Sequence, residues 1–256
     1  MDTETMLKLI DEDRRRVVSP NFRGEVSQSL VRWCSVIEKE IKIKYSAIPD
    51  SELEQVIAVE IRRSRELGCK LEWHAYDHDQ PKALSQALRA AGFRKGETAA
   101  FMVLDASKKL HGAACDLDVR RVCDAAALGD YERVLRLAWG GRDFSDHRVF
   151  LETYLKRWPD RVAVLVGYAA ETPVSCGRVL LNPDGRFAHL AGGATVPEHR
   201  HRGYYSRLVA TRAEVARLRS ASFLSVTASP ASAPALSKLG FRTVTRMTPW
   251  ELVESA

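Results

Sequence analysis

A chain of 256 residues, 45% apolar and 28% charged, can bury one large core or two small ones and has the balance of an ordinary globular protein. No apolar run approaches the roughly 20 residues of a membrane helix, and the polar opening "MDTETMLKLIDEDRRR" lacks a signal-peptide core, so a cytoplasmic protein without membrane contact is expected. The net charge of +6 is spread among alternating acids and bases, which suits an anionic ligand and lends a nucleic-acid surface only weak support, so no nucleic-acid partner is expected.

In chain order, "DRRR" (13–16) reads as a solvated helix start, "SLVRWCSVI" (29–37) as a strand and "IEKEIKIK" (37–44) as an alternating exposed strand. Cys34 opens a set of five scattered cysteines, with Cys69, Cys115, Cys123 and Cys176, that has no CxxC spacing; free thiols are expected, with no metal site and no disulfide framework. Ser51 and Glu54 have capping-box spacing, ahead of a helix whose Leu53, Val56, Ile57 and Ile61 share one face. "WHAYDHD" (73–79) sits at a strand end. "ALRAAGFRKGETAAFMVL" (87–104) closes a helix at Gly92 and enters an apolar strand, and "DASKKLHGAACD" (105–116) reads as a linker. Helical segments follow around 117–139 and 144–157, with Trp139, Phe144, Phe150, Tyr154 and Trp158 as core or cleft wall. Three strands come next, "VAVLVGY" (162–168), "VSCGRVLL" (174–181) and "RFAHLAGGATV" (186–196), joined by the turns "AAETP" and "NPDG". Tyr204, Leu208, Thr211, Val215 and Leu218 keep helical spacing, and "FLSV" (223–226) is a strand. "ALSKLGFRTVTRMTPWEL" (235–252) then repeats the pattern of 87–104, with its helix stop at Gly240.

Two helix–strand–helix–strand units at matching offsets argue for duplication. The second half reads α–α–β–β–β–α–β–α–β, and the first holds the closing part of that order. The fold class is therefore α+β, a mixed sheet flanked by helices, with a partial domain at 1–108 and a complete one at 115–256.

The segment "TVPEHRHRGYYSRLVATR" (195–212) places basic residues and one glycine between a strand and a helix. A helix starting after Gly203 presents unpaired N–H groups and the positive end of its dipole, and glycine lets the backbone approach a phosphate. Arg200 and Arg202 add charge at the rim. The plain alternative is a solvated basic turn. A zinc site from His199 and His201 has no third ligand nearby in the sequence.

"RHRGYY" (200–205) resembles the R/Q-x-x-G-x-G/A signature of the GNAT superfamily of acyl-CoA-dependent N-acyltransferases. The strand meander, "VP" (196–197), the following helix and strand, and "LSKLGF" (236–241) accompany it in order. "GGAT-P-x-x-R-x-R-G-x-Y" and the degenerate first half resemble a tandem subset of that family. The resemblance implies transfer of an acetyl group from acetyl-CoA, with no metal, to a primary amine on a small molecule or peptide, by direct attack in a ternary complex. It assigns the coenzyme A pyrophosphate to His201, Arg202, Gly203, Tyr204, Tyr205 and Ser206. It assigns the pantetheine arm to Thr195 and Val196, with Ser229 as a further cofactor contact, and the oxyanion of the tetrahedral intermediate to a strand N–H near Thr195 or Val196.

Three positions depart from the family pattern. Tyr205 stands where Gly or Ala is usual, and could crowd the phosphates or point away. Leu236 replaces a tyrosine that commonly protonates the leaving thiolate, and Ser229 replaces an asparagine. Eleven residues before Arg200, where some relatives carry a glutamate base, stands His189, an imidazole suited to taking a proton near neutral pH. Glu198 is a second choice. Gly192 and Gly193 suit a β-bulge that would open the strand edge. The competing functions are a non-catalytic module that binds an acyl-CoA or a protein partner, and a nucleic-acid-associated protein that uses the basic loop.

Overall fold

In the computed structural model of the protein, residues 1–16, 18–19, 22–35, 39–182 and 185–253 are described, with 145 and 146 given by backbone alone. The first half runs α1 (Thr3–Arg16), β1 (Arg23–Val26), β2 (Leu30–Ser35), β3 (Glu40–Ser46), α2 (Leu53–Glu66), β4 (Lys70–Tyr76), α3 (Leu84–Ala90), β5 (Phe93–Lys95) and β6 (Ala99–Asp105). The second runs β7 (Asp118–Arg121), α4 (Ala125–Ala138), α5 (Ser145–Arg157), β8 (Val162–Ala169), β9 (Thr172–Leu180) and β10 (Phe187–Thr195). It closes with α6 (Tyr204–Leu218), β11 (Phe223–Ala228), α7 (Ala233–Lys238) and β12 (Arg242–Leu252). The class is α+β, as expected. The end of the expected strand at 36–37, the start of "IEKEIKIK" and the middle of "NPDG" lie outside the described residues. No helix among the described residues is long and apolar enough to cross a membrane.

The chain groups into two units, Met1–Phe101 with Ala228–Ala231 and Thr243 onward, and Met102–Thr227 with Ser232–Arg242. The division expected at 1–108 and 115–256 therefore assigns the closing strands differently. The reason is where their apolar faces find cover. β12 pairs antiparallel with β4 from Met247↔Tyr76 to Glu251↔Glu72, and with β5 from Trp250↔Lys95 to Leu252↔Phe93. Trp250 is thereby buried in the first unit's core with Trp73, Leu88 and Phe93.

The first unit is fuller than a closing fragment. β1, β2 and β3 form an antiparallel meander, and β3 then pairs parallel with β4 from Glu40↔Lys70 to Ile43↔Trp73. β3 is an interior strand with Ile41 and Ile43 buried, so it is not the exposed strand its alternating lysines suggest. Ser51 forms no capping box: it lies inside a 3-10 turn, Asp50–Glu52, that leads into α2 without a side-chain cap.

"DRRR" is the end of α1, and its Arg14 is buried. Arg14 Nη1 and Nη2 donate to Asp79 Oδ1 and Oδ2 at 2.8 and 3.0 Å, Nη1 also reaches Asp11 Oδ1 at 2.7 Å, and the guanidinium lies 3.9 Å from the Tyr76 ring centre. Asp11, His78 and Asp79 are close enough to share a metal ion, but the cation they surround is Arg14. Burial works against that charge, and Asp79 more than compensates, raising the Arg14 pKa. Asp79→Ala would leave a buried cation with only Asp11, at a cost of about 3 kcal/mol. Urea denaturation of the variant should show that loss at unchanged m-value.

In the second unit β7, β8, β9 and β10 are antiparallel neighbours and β10 runs parallel to β11. β7 has no sequence signal, because its mostly exposed "DVRR" has no apolar alternation. It displaces the helix expected from 117, and α4 starts only where the Asp124 carboxylate accepts the Ala127 N–H at 2.8 Å. Leu128, Tyr131, Val134, Leu151 and Tyr154 of α4 and α5 pack on Val162, Val164, Val166 and Cys176. Phe144, Phe150 and Trp158 flank that core, whereas Trp139 is largely exposed. Leu208 and Val209 of α6 are fully buried.

Candidate active site

The site lies in the second unit, where β10 leaves β11. Their parallel pairing runs from Phe187↔Phe223 to Leu190↔Val226 and stops there. A bulge between Ala191 and Ala194 follows, with Gly192 at φ +56°, after which β10 pairs again with β9 at Ala194↔Cys176 and Thr195↔Ser175. The glycine pair thus forms the bulge its sequence suggested.

This geometry separates the two strand residues assigned to the pantetheine arm. Val196 N–H donates to Val174 O at 2.9 Å and its carbonyl accepts from His199 N at 2.9 Å, so its backbone is already committed to the fold. Because successive residues of an antiparallel strand point their backbone groups to opposite sides, Thr195 N–H faces the side that β11 has left. The Thr195 carbonyl accepts from Arg200 Nε at 3.1 Å. The Val196 backbone is thus engaged within the fold, whereas the Thr195 N–H faces outward.

Beyond the 3-10 turn Pro197–His199, the chain turns through positive φ at His201 (+62°) and Gly203 (+81°) and enters α6. Arg207 N–H is bonded to Gly203 O at 3.0 Å, which leaves the N–H groups of Tyr204, Tyr205 and Ser206 in the unsatisfied first turn. His201 and Arg202 are exposed at its rim. Arg200 is a clamp instead, with Nη2 on Ala138 O at 3.3 Å, beside the end of α4.

The side chains of the loop have their own tasks. Tyr204 is buried and donates to Asp116 Oδ1 at 2.9 Å, an acceptor that raises the phenol's pKa. Ser206 Oγ donates to Gly203 O at 2.8 Å and accepts Ala113 N–H at 3.2 Å. The Tyr205 ring lies against Gly193, and its hydroxyl interacts with Arg212. Tyr205 therefore points along α6 toward the bulge, away from the helix end, and does not crowd it.

Ser229 directly follows β11, in the short Ala228–Ala231 segment that groups with the first unit. Leu236, at the usual position of the acid tyrosine, is fully buried. His189 is half-buried on the last paired stretch of β10, opposite Ser225, with Nδ1 3.1 Å from Ser225 Oγ. Glu198 is exposed beside the loop.

Sequence reasoning missed Arg178, Arg212 and His147. Arg178 Nη1 meets Tyr131 Oη at 3.0 Å and His147 Nε2 at 2.8 Å. Burial, then the Arg178 charge, pull His147 down to about 4. A folded-state value below the ordinary 6.5 means the unfolded chain binds the proton first. The stability His147 contributes is therefore full above pH 6.5 and lost as the pH falls toward 4, by about 2 kcal/mol. Denaturation curves between pH 7 and pH 4 should show that loss, and His147→Gln should flatten it.

Residues 129–241 match the model of the Acetyltransferase (GNAT) family. The chain carries a GNAT domain. A GCN5-related N-acetyltransferase from Kribbella flavida superposes with a TM-score of 0.71 at 12% identity, over 99% of this chain and 95% of that one. A functionally unknown conserved protein from Staphylococcus epidermidis gives 0.69 at 15% identity, over 92% and 95%. A tandem GNAT protein from the clavulanic acid biosynthesis pathway gives 0.63 at 12% identity, over 96% and 89%. At these identities the likeness speaks for the fold. No curated protein matches the chain in sequence. The GNAT match supports acyl transfer as the class of reaction.

Proposed function

We propose that the GNAT domain transfers an acetyl group from acetyl-CoA to a primary amine by direct attack in a ternary complex. The observation that carries this reading is the opening of β10 from β11, which leads from the Gly192–Gly193 bulge, past the outward N–H of Thr195, to the unsatisfied first turn of α6. A pyrophosphate fits that turn by charge and by hydrogen bonding, through the N–H groups of residues 201–206. Thr195 N–H suits an amide or thioester carbonyl. His189 takes the proton of the attacking amine; the C–N bond forms, the C–S bond breaks and its electron pair goes to sulfur. With Leu236 in place of an acid, the thiol leaves as thiolate, tolerable for a group of pKa about 8.5.

The first unit also runs from an antiparallel meander through a helix to a parallel strand, but the opening of that helix is acidic, with Asp50 and Glu52 in the turn and Glu54 in the first turn of α2. Phosphates would be repelled there, so one acetyl-CoA per chain is expected. Calorimetric titration should give one micromolar site, and a panel of primary amines should elicit amine-dependent thiol release. Binding without release for every amine would favour a module that binds an acyl-CoA; no binding would remove the transferase and leave a module for a protein partner.

A further inference from the structure

Arg212, on α6, is 2% exposed. Its guanidinium occupies space left by two glycines: a Cβ on Gly177 would lie 2.9 Å from Nη1, and one on Gly193 would lie 3.1 Å from Nη2. Nη1 reaches Ala191 O at a long 3.5 Å, Tyr205 offers its hydroxyl, and Nε is buried with no partner. Arg178 comes from the α4–α5 side of the same bulge. A Cβ on Gly192 would lie 2.7 Å from its Nη1, and its Nε is likewise buried without a partner. Neither arginine has a carboxylate partner among the described residues. Cys176, between them, is held neutral by burial, which pushes its thiol up to about 12.

A guanidinium keeps its proton inside proteins, and a buried cation without a counter-charge is costly. Arg212, buried, borders the exposed bulge residue Gly193, and Arg178, half-buried, borders the adjacent Gly192. The phosphates of the donor do not answer them. Arg212 lies eight residues into α6 from Tyr204, about 12 Å along the helix from the turn assigned to the pyrophosphate. An anion held at the bulge would therefore come from the acceptor and not from the donor.

We infer that Arg178 and Arg212 form a subsite for an anionic oxygen group, carboxylate or phosphate, carried by the amine acceptor. The inference rests on the acetyl-transfer reading for its acceptor and on the arginine geometry for its anion. The test compares matched acceptors in the full-length protein with acetyl-CoA: α-amino acids against their methyl amides, and O-phosphoethanolamine against ethanolamine. Within at least one pair the anionic member should have the higher kcat/KM, and the pair that responds identifies the anion. Arg178→Gln should raise KM for that acceptor by about 10- to 100-fold while leaving KM for acetyl-CoA unchanged, and Arg178→Lys should recover part of the loss. Arg212→Gln should behave alike where it folds. Equal kinetics within every pair, with thiol release intact, would overturn the subsite and leave the transferase standing.

A second measurement needs no turnover. Inorganic phosphate or acetate should raise the melting temperature of the wild type more than that of Arg178→Gln. Equal shifts in both proteins would overturn the subsite even if no acceptor is found, whereas a difference without acetyl-CoA binding would sink only the transferase reading.

Discussion

Gly203→Ala should weaken acetyl-CoA binding by roughly 100-fold or more, for two separable reasons. Gly203 sits at φ +81°, where a side chain costs about 1–2 kcal/mol. The new Cβ would also lie 2.5 Å from Ala113 Cβ, an overlap that forces a shift costing about 1–3 kcal/mol. Either cost is relieved by moving the loop that aims the first N–H groups of α6, and each 1.4 kcal/mol is tenfold in affinity. Adding Ala113→Gly removes the overlap and leaves the backbone strain. The double variant should therefore regain part of both its melting temperature and its acetyl-CoA affinity, read by calorimetry. Wild-type affinity in Gly203→Ala would place the cofactor elsewhere than on this loop.

Much of this loop was legible in the sequence because glycine, proline and charge act locally. Gly92 and Gly240 stop their helices at φ +89° and +93°, and Gly192 opens the bulge, as their positions foretold. What escaped depends on partners distant in sequence. The closing strands of the two halves carry the same pattern, and a pattern does not say which core covers Trp250. Arg14 read as solvated because its counter-charge, Asp79, lies 65 residues away. That the Val196 N–H is bonded to Val174 shows only once β10 lies beside β9. Arg212 was the hardest to see. In sequence it is one more arginine on an amphipathic helix; its burial follows from Gly177 on β9 and Gly193 on β10, which face it only once the sheet has formed.

His189→Ala should lower kcat by about 10²- to 10⁴-fold, the usual contribution of a positioned general base, and leave acetyl-CoA affinity unchanged. Geometry sets a condition on the role. If Nε2 is to accept the amine proton, Nδ1 must carry hydrogen and donate it to Ser225 Oγ, 3.1 Å away. Ser225 is buried, so this bond fixes the tautomer as well as the ring's orientation. Ser225→Ala should then reduce kcat by a smaller factor, about tenfold, without eliminating the dependence on His189. A structural histidine would also lower activity when deleted, so the rate alone does not decide. The pH profile does. With an acceptor amine that is already neutral at pH 6, the acidic limb of kcat/KM belongs to the enzyme, and it should vanish in His189→Ala and persist in Ser225→Ala. Added imidazole should restore part of the lost rate. If the limb survives in His189→Ala, the base lies elsewhere, and Glu198, exposed beside the loop, becomes the carboxylate to replace next.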